Sequence, residues 1–114
     1  MKTIGVVLIL LLAQVAYGQK VKTEIIKTSA ECSMCKDRVE EKLNYTKGIV
    51  FAELNYELKE LEVRYKTKHI SVEEIRAILN ELGYDADETK AVPEAQKALP
   101  DCCQPGGMAK EIHN

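Results

Sequence analysis

The sequence lacks the features that mark several large classes of protein. Its 114 residues carry 16 basic and 18 acidic side chains, so neither sign dominates. A balance of this kind argues against a nucleic-acid partner and offers no charged patch for a membrane surface. The chain also has no Ser-His-Asp grouping, no glycine-rich phosphate loop and no histidine pair of the zinc-binding kind. We therefore expect a protein that is not an enzyme and does not bind nucleic acid.

Long apolar runs are missing except at the N-terminus. Lys2 precedes an almost unbroken apolar segment at residues 4–13. This segment is shorter than the roughly 18 residues that span a bilayer. Small residues follow at Ala16 and Gly18, with the spacing of a signal-peptidase site. The pattern predicts a signal peptide at residues 1–18 and a secreted or periplasmic protein, with an uncleaved membrane anchor as the alternative.

Cysteine is scarce, with four residues, and it is clustered rather than spread along the chain. Cys32 and Cys35 form a CxxC motif, and Cys102 and Cys103 are adjacent. Neighbouring cysteines close very small loops, and disulfides across small loops restrict the unfolded chain least. Two structural disulfides are an alternative in an exported chain, but the clustering favours thiols that react or bind metal.

The CxxC motif lies between a β-branched stretch and the start of a helical pattern, and this position suits a soft metal ion. A helix N-terminus stabilises thiolates, so we expect this pair of thiols to be ionised near neutral pH. Two thiolates favour Cu(I), which they hold in a nearly linear arrangement, over Mg²⁺ or Ca²⁺. The helical stripe of Cys35, Val39 and Leu43 turns Cys35 inward. Cys32 is then expected to be the more exposed thiol, which meets incoming metal first.

Hydrophobic periodicity predicts an α+β fold. The predicted elements are, in order, a strand at residues 21–28, a helix with the stripe of Cys35, two hairpin strands at residues 50–56 and 60–65, a helix with a stripe of Ile75, Ile78, Leu79 and Leu82, and a strand at residues 84–88. Ser71 and Glu74 form a capping box before the second helix, and Gly83 supplies its stop. This βαββαβ order is that of ferredoxin-like folds, in which two helices cover one face of a four-stranded antiparallel sheet.

A CxxC between the first strand and the first helix of such a unit, with a Gly-Tyr pair after the second helix, resembles the heavy-metal-associated domain family. That family includes copper chaperones, the N-terminal domains of copper-pumping ATPases and a periplasmic mercury-binding protein. We place the domain at residues 19–90. The resemblance implies that Cys32 and Cys35 bind the metal and that Tyr84 lies in a loop over the site. The chain departs from the family's Gly-Met-Thr-Cys-x-x-Cys pattern in having Ser-Ala-Glu at residues 29–31.

Four neighbours of the CxxC motif are candidates for tuning the site. Met34 offers a thioether as a third ligand, or a flexible apolar side chain that shields the loop. Tyr84 places a hydroxyl behind the ligands, or packs over the loop as an ordinary tyrosine. Lys36 and Arg38, together with the helix N-terminus, are expected to offset the negative charge of a bis-thiolate Cu(I) centre.

The tail, residues 91–114, follows the domain and is rich in turn-forming residues, so we expect much of it to be mobile. Its Cys102 and Cys103 are candidates for additional thiolate ligands, or for disulfide exchange with the CxxC pair. A disulfide between the two adjacent cysteines and a contact that forms a dimer are equally open.

These observations favour an exported soft-metal-binding protein that captures and transfers, or buffers, Cu(I). Transfer then proceeds by ligand exchange, because a thiolate of a second protein can attack an under-coordinated ion. Hg(II) is the main rival ion, and Zn(II) is also compatible. The expected partner is a metal-transporting membrane protein or another metal-receiving protein, with a metal-bridged homodimer as a further alternative.

A thiol-disulfide oxidoreductase is the rival function, because a CxxC at a helix start in an oxidising compartment also suits redox chemistry. Thioredoxin-like enzymes usually place a cis-proline opposite their cysteines. The three prolines of this chain, Pro93, Pro100 and Pro105, all lie in the tail. The metal-binding function is therefore favoured.

Overall fold

The computed structural model describes residues 20–107. Its helices and strands are, in order, β1 (Val21–Lys27), α1 (Ser33–Asn44), β2 (Ile49–Asn55), β3 (Glu60–Lys66), α2 (Val72–Leu82) and α3 (Pro93–Lys97). A short 3₁₀ turn follows at Asp101–Cys103. Among the residues described, no helix is long and apolar enough to cross a membrane. The predicted signal peptide at residues 1–18 lies outside the described residues.

The three strands form one antiparallel sheet with β3 in the centre, in the order β1-β3-β2. β1 pairs with β3 over its whole length. The predicted hairpin of β2 and β3 is confirmed, and Asn55 pairs with Glu60 at its turn. The register shifts between Ile49 and Phe51. This bulge takes Val50 out of the predicted alternation, so that Val50 and Phe51 are both exposed.

Inward residues of the strands and one stripe of each long helix form a single core. The predicted stripe of α1, which contains Cys35, is fully buried. In α2, Ile75 and Leu79 are buried, whereas Ile78 and Leu82 are only partly buried. Because Cys35 belongs to this core, packing of the whole domain determines where the CxxC motif lies.

The predicted fourth strand at residues 84–88 is wrong, and the sheet has three strands within the part of the chain described. One isolated bridge joins Ala86 to Thr28, just beyond β1. The chain then turns back, because Asp87 has a positive φ of 52°. Ala86 and Thr89 exchange backbone hydrogen bonds of 3.0 and 2.9 Å across this turn. A residue in the left-handed region cannot continue an extended strand, so pairing beside β1 stops after one bridge.

The described part of the tail, residues 91–107, folds back along the end of α2, although its composition predicts mobility. The rest of the predicted tail, residues 108–114, lies outside the described residues. Val92 N donates a hydrogen bond to Asn80 O at 3.0 Å, and Ala91 N donates to Asp85 Oδ1 at 2.9 Å. Gly83 ends α2 as predicted, with a left-handed φ of 107°. A Cβ at this position would lie 2.8 Å from a backbone oxygen of α3. Glycine therefore both ends α2 and lets α3 approach it closely.

Gly83→Ala is expected to lower the free energy of unfolding by about 1–3 kcal/mol. The substitution combines the strain of a left-handed alanine with a clash against α3. Glu81→Ala, at an exposed position of the same helix, is the control and should change stability by less than about 0.5 kcal/mol. Urea unfolding followed by circular dichroism measures both. Equal midpoints for the two variants would contradict this account of Gly83.

Candidate metal centre

Cys32 is the N-cap residue of α1, which begins at Ser33, slightly before the predicted start near Cys35. The backbone of Cys32 is extended, with φ −140° and ψ 164°. Its Sγ accepts a hydrogen bond from Cys35 N at 3.4 Å, and its carbonyl oxygen accepts one from Lys36 N at 3.0 Å. The first turn of α1 therefore directs a backbone N–H group at the sulfur of Cys32, an arrangement that favours negative charge there.

The structure brings all four cysteines together, and we call them the sulfur cluster: Cys32, Cys35, Cys102 and Cys103. The Sγ of Cys32 lies 2.7 Å from that of Cys35 and 3.3 Å from those of both Cys102 and Cys103. The Sγ atoms of Cys102 and Cys103 are 3.9 Å apart. All four are free thiols. The cluster therefore unites residues about 70 positions apart in sequence. Whether Cys102 and Cys103 act as added ligands or in disulfide exchange stays a prediction.

Most of the cluster is buried. Cys35 and Cys103 are 0% exposed and Cys32 is 3% exposed, whereas Cys102 is partly buried. Cys32 is the more exposed thiol of the CxxC pair only by this small margin, and the prediction that it is open enough to meet incoming metal first is wrong. The reason is tertiary, because the tail places its own two sulfurs against Cys32. In this state the CxxC motif is covered rather than open to an incoming metal.

Burial also changes the charge expected on the thiols. It raises the pKa of Cys35 above its ordinary value, and the neighbouring Cys32 side chain adds to the shift. Burial likewise raises the pKa of Cys103, with further contributions from hydrogen bonds to Cys35 and Cys32. The expectation of thiolates near neutral pH is therefore wrong for Cys35, because the cost of an unsolvated anion outweighs the helix N-terminus. Without a cation, these two thiols keep their protons.

Tyr84, which the family resemblance places over the site, lies near Cys35 and Cys103 and belongs to the hydrophobic core. It is 0% exposed, and its hydroxyl makes no hydrogen bond within residues 20–107. Burial raises the pKa of Tyr84, and the nearby sulfurs of Cys35 and Cys103 raise it further. The phenol therefore stays neutral and presents its O–H in the neighbourhood of two sulfurs.

The other three predicted neighbours of the CxxC motif, Met34, Lys36 and Arg38, contribute less to the surroundings of the sulfur cluster. Met34 is 47% exposed, in contrast to the buried sulfurs, and its role as ligand or shield stays a prediction. The Lys36 Nζ is held by Glu40 Oε2 at 2.5 Å and by Leu54 O at 3.1 Å. These partners occupy the ammonium group, so Lys36 is not free to offset charge on the cluster. Arg38 lines a separate surface groove near the C-terminal end of α1.

Three contacts fix the loop that precedes Cys32. Thr28 N donates to Lys59 O at 3.0 Å, and Ser29 Oγ accepts from Asp85 N at 2.9 Å. Lys59 Nζ also lies 3.1 Å from Glu31 Oε2, while Glu31 Oε1 is buried without a hydrogen-bond partner in the described part of the chain. The loop is thus tied to the β2–β3 turn on one side and to the segment after α2 on the other.

Two residues that sequence analysis missed hold the tail cysteines in place. The Gln104 Nε2 donates hydrogen bonds to Gln96 O at 2.6 Å and to Leu99 O at 3.0 Å. We call this set of bonds the Gln104 clasp. Gly107 is buried, and a Cβ there would lie 1.9 Å from Asp101 O, so only glycine fits. The Pro-Gly-Gly run indicated a turn. No pattern in the sequence predicts that the Gln104 side chain donates to backbone carbonyl groups.

The family model described as the heavy-metal-associated domain matches residues 24–85, more than half of the chain. The chain belongs to this family. The match contains the CxxC motif, both long helices and all of the sheet except the first residues of β1. The tail lies outside it.

Two proteins similar in sequence to this chain are named for copper. The chain is 33% identical to the copper chaperone CopZ of Staphylococcus aureus (strain bovine RF122 / ET3-1), over 47% of this chain and 79% of that protein. It is also 33% identical to a copper-exporting P-type ATPase of Bacillus subtilis (strain 168), over 59% of this chain. That match spans only 9% of the ATPase. A solved CopZ metallochaperone structure superposes with a TM-score of 0.55 and 29% identity, covering 57% of this chain and 98% of the other. The domain is therefore a metal-binding domain related to copper chaperones.

The raised thiol pKa values predict that the reduced, metal-free protein loses stability in alkaline solution. The folded state keeps the protons of Cys35 and Cys103 where the unfolded state releases them, above the ordinary thiol value of 9.0. Stability is thus fully present below that pH and falls as the pH rises, by up to about 1.4 kcal/mol per pH unit for each thiol. Urea unfolding at about pH 8 and about pH 10 measures the loss.

The control is Cys35→Ala/Cys103→Ala, which removes both protons. Its midpoint should depend less on pH over the same interval. If the variant and the natural chain lose equal stability between the two pH values, buried neutral thiols are not the cause.

Proposed function

We propose that this protein captures Cu(I) through Cys32 and Cys35 and hands it over by ligand exchange. The observation that carries the proposal is the contact between these two thiols at the N-terminus of α1, within a heavy-metal-associated domain. Thiolates are soft ligands, and Cu(I) is a soft ion for which two of them suffice. The names of the relatives, a copper chaperone and a copper-exporting ATPase, support the choice of ion.

Rival ions are distinguished by coordination. Zn(II) in structural sites takes four tetrahedral ligands, so a CxxC pair alone would leave it incomplete. Hg(II) shares the preference of Cu(I) for two thiolates in line, and it remains the main rival. Titration with each ion shows whether Cu(I), Hg(II) or Zn(II) binds the CxxC pair most tightly.

Capture requires the two sulfurs of the CxxC pair to separate. They lie 2.7 Å apart in the metal-free structure. If the metal–sulfur bonds are similar in length to the Zn–S bond of about 2.3 Å, a linear ion would set the two sulfurs about 4.6 Å apart. Cys35 is fixed in the core, so rotation of the Cys32 side chain supplies this movement. Each thiol releases its proton as its metal–sulfur bond forms.

Handover reverses these bonds without any change in oxidation state. A thiolate of the receiving protein attacks the under-coordinated ion and displaces Cys32, and a second thiolate of the receiver then displaces Cys35. The two acceptor thiols give up their protons as their bonds to the ion form, and Cys32 and Cys35 each regain one. The ion passes between sulfurs and is never free in solution. This is transport of a substrate ion and not catalysis, so we propose no enzymatic activity for the chain.

We propose a metal-transporting membrane protein as the receiver, because the copper-exporting ATPase matches the chain across a similar domain. A homodimer bridged by one ion would need two exposed CxxC motifs facing each other. The tail covers Cys32 in the structure, so this dimer requires the tail to leave its place.

We further propose that the protein acts outside the cytoplasm, after removal of residues 1–18. The expected product of secretion has a mass that corresponds to a chain starting at Gln19. Gly18→Arg should prevent cleavage, because signal peptidases require a small residue at that position. Mass spectrometry of the protein from fractionated cells tests both statements. A natural chain that keeps Met1 in the soluble cytoplasmic fraction would overturn this part of the proposal.

The ligand pair is tested most directly in a Cys102→Ser/Cys103→Ser background, where the tail supplies no sulfur. This reduced variant is expected to bind one Cu(I), measured by non-denaturing mass spectrometry and by competition with a Cu(I) chelator. Adding Cys32→Ser or Cys35→Ser should abolish binding, because a single thiolate cannot hold the ion against the chelator. Parallel titrations with Hg(II) and Zn(II) rank the ions.

Ser33→Ala in the same background is the matched control, since it alters an exposed side chain between the two cysteines and removes no sulfur. It should still bind one Cu(I). If the background variant binds no metal while Cys32 and Cys35 equilibrate with a glutathione redox buffer, the chain is a thiol-disulfide oxidoreductase instead.

A further inference from the structure

Cys32 occupies the centre of the sulfur cluster. Its Sγ is within 3.3 Å of the sulfurs of Cys35, Cys102 and Cys103. It therefore belongs to two groups at once. One is the CxxC pair, and the other is a triangle formed with the two tail cysteines, whose sulfurs all lie within 4.8 Å of one another.

The triangle is already close to the dimensions of a three-coordinate site. Its edges are 3.3 Å for Cys32–Cys102, 3.3 Å for Cys32–Cys103 and 3.9 Å for Cys102–Cys103. An ion at the centre of three sulfurs, with bonds of about 2.3 Å, would set them about 4.0 Å apart. Small outward shifts of the sulfurs thus suffice. The CxxC pair must open much further, from 2.7 Å, to hold an ion in line.

The position of the tail cysteines is built into the fold. Cys103 is 0% exposed and belongs to the hydrophobic core. Its backbone N–H donates to Pro100 O at 2.9 Å, which forms the 3₁₀ turn that carries both cysteines. The Gln104 clasp joins this turn to α3, and α3 in turn packs against Gly83 at the end of α2. The domain therefore presents both tail sulfurs to Cys32 before any ion arrives.

We propose that Cys32, Cys102 and Cys103 form a second, three-thiolate Cu(I) site, and that the tail acts as a latch that retains the ion after capture. This inference rests on the proposed function for the first capture step. The captured ion exchanges its bond to Cys35 for bonds to Cys102 and Cys103. Those two thiols release their protons to solvent, Cys35 regains one, and no electron is transferred.

The latch changes how the protein gives up its ion. A two-coordinate ion near the surface is open to attack by an acceptor thiolate, whereas a three-coordinate ion under the tail is shielded. Cys32 is 3% exposed with the tail docked, so transfer requires the tail to move first. The structure thus favours retention, with release governed by how firmly the tail is held.

Cys35→Ser with an intact tail separates the two sites. It is expected to retain one Cu(I) through the triangle, and X-ray absorption should show about three sulfur neighbours for the ion. Adding Cys102→Ser/Cys103→Ser should remove that ion completely. Loss of the ion from Cys35→Ser alone would overturn the three-thiolate site, while the result for the CxxC pair in the serine-tail background would stand independently.

The latch is tested by the rate of Cu(I) transfer from the otherwise natural reduced protein to an excess of a Cu(I) chelator. Cys102→Ser/Cys103→Ser should transfer at least about tenfold faster, because the two tail ligands act at high effective concentration. Equal rates, or two sulfur neighbours in the natural chain, would overturn the latch.

Gln104→Ala tests whether the Gln104 clasp keeps the tail in place, because it removes these hydrogen bonds and leaves all four sulfurs. It deletes the clasp and should also speed transfer, although all four thiols remain. Gln96→Ala is the matched control, because Gln104 bonds the backbone oxygen of Gln96 and not its side chain. It should transfer at the natural rate. If both glutamine variants behave like the natural chain, the clasp does not govern release.

Discussion

The position of Cys32 as the N-cap residue of α1 is the constraint on which the rest of the site depends. The buried stripe of α1 includes Cys35, so packing of the core sets both the axis of the helix and its rotation. Cys32 must then occupy the N-cap position, with its sulfur between the backbone N–H of Cys35 and the sulfurs of the tail. A shift of one residue would rotate it about 100° around the helix and separate these groups.

Two opposing electrostatic effects meet at this point. The N–H groups of the first turn favour negative sulfur, whereas burial disfavours it and raises the pKa values of Cys35 and Cys103. Burial prevails in the metal-free protein, so Cys35 and Cys103 keep their protons. A soft cation removes the opposition between these two effects, because its positive charge stabilises thiolates at sulfurs that water does not reach. An ion that binds Cys35 or Cys103 must therefore displace a proton that burial holds in place.

Much of the domain could be predicted from local patterns. The alternation in β2 and β3 predicted the hairpin. Ser71 caps α2 as predicted, with its Oγ accepting from Glu74 N at 3.1 Å, while the Glu74 carboxylate accepts from the Ser71 hydroxyl and not from its backbone N–H. These features depend on neighbours in sequence. The fourth strand failed because the positive φ of Asp87 and the turn around it override the strand propensity of a short segment. The bulge at Val50 was missed for a related reason, since pairing register is a property of two strands together.

By itself, the sequence determined the order of the main helices and strands and the place of a CxxC motif at a helix N-terminus, because both follow from spacing along the chain. Its resemblance to a known family added the metal-binding role of the motif. Only the tertiary structure decided that the tail folds back, that Cys102 and Cys103 meet Cys32, and that the motif is covered. These outcomes depend on contacts such as the Gln104 clasp and the close approach at Gly83. Such contacts join elements that are far apart in the chain through complementary shape and hydrogen bonding. Neither produces a repeating pattern that could be recognised in the sequence.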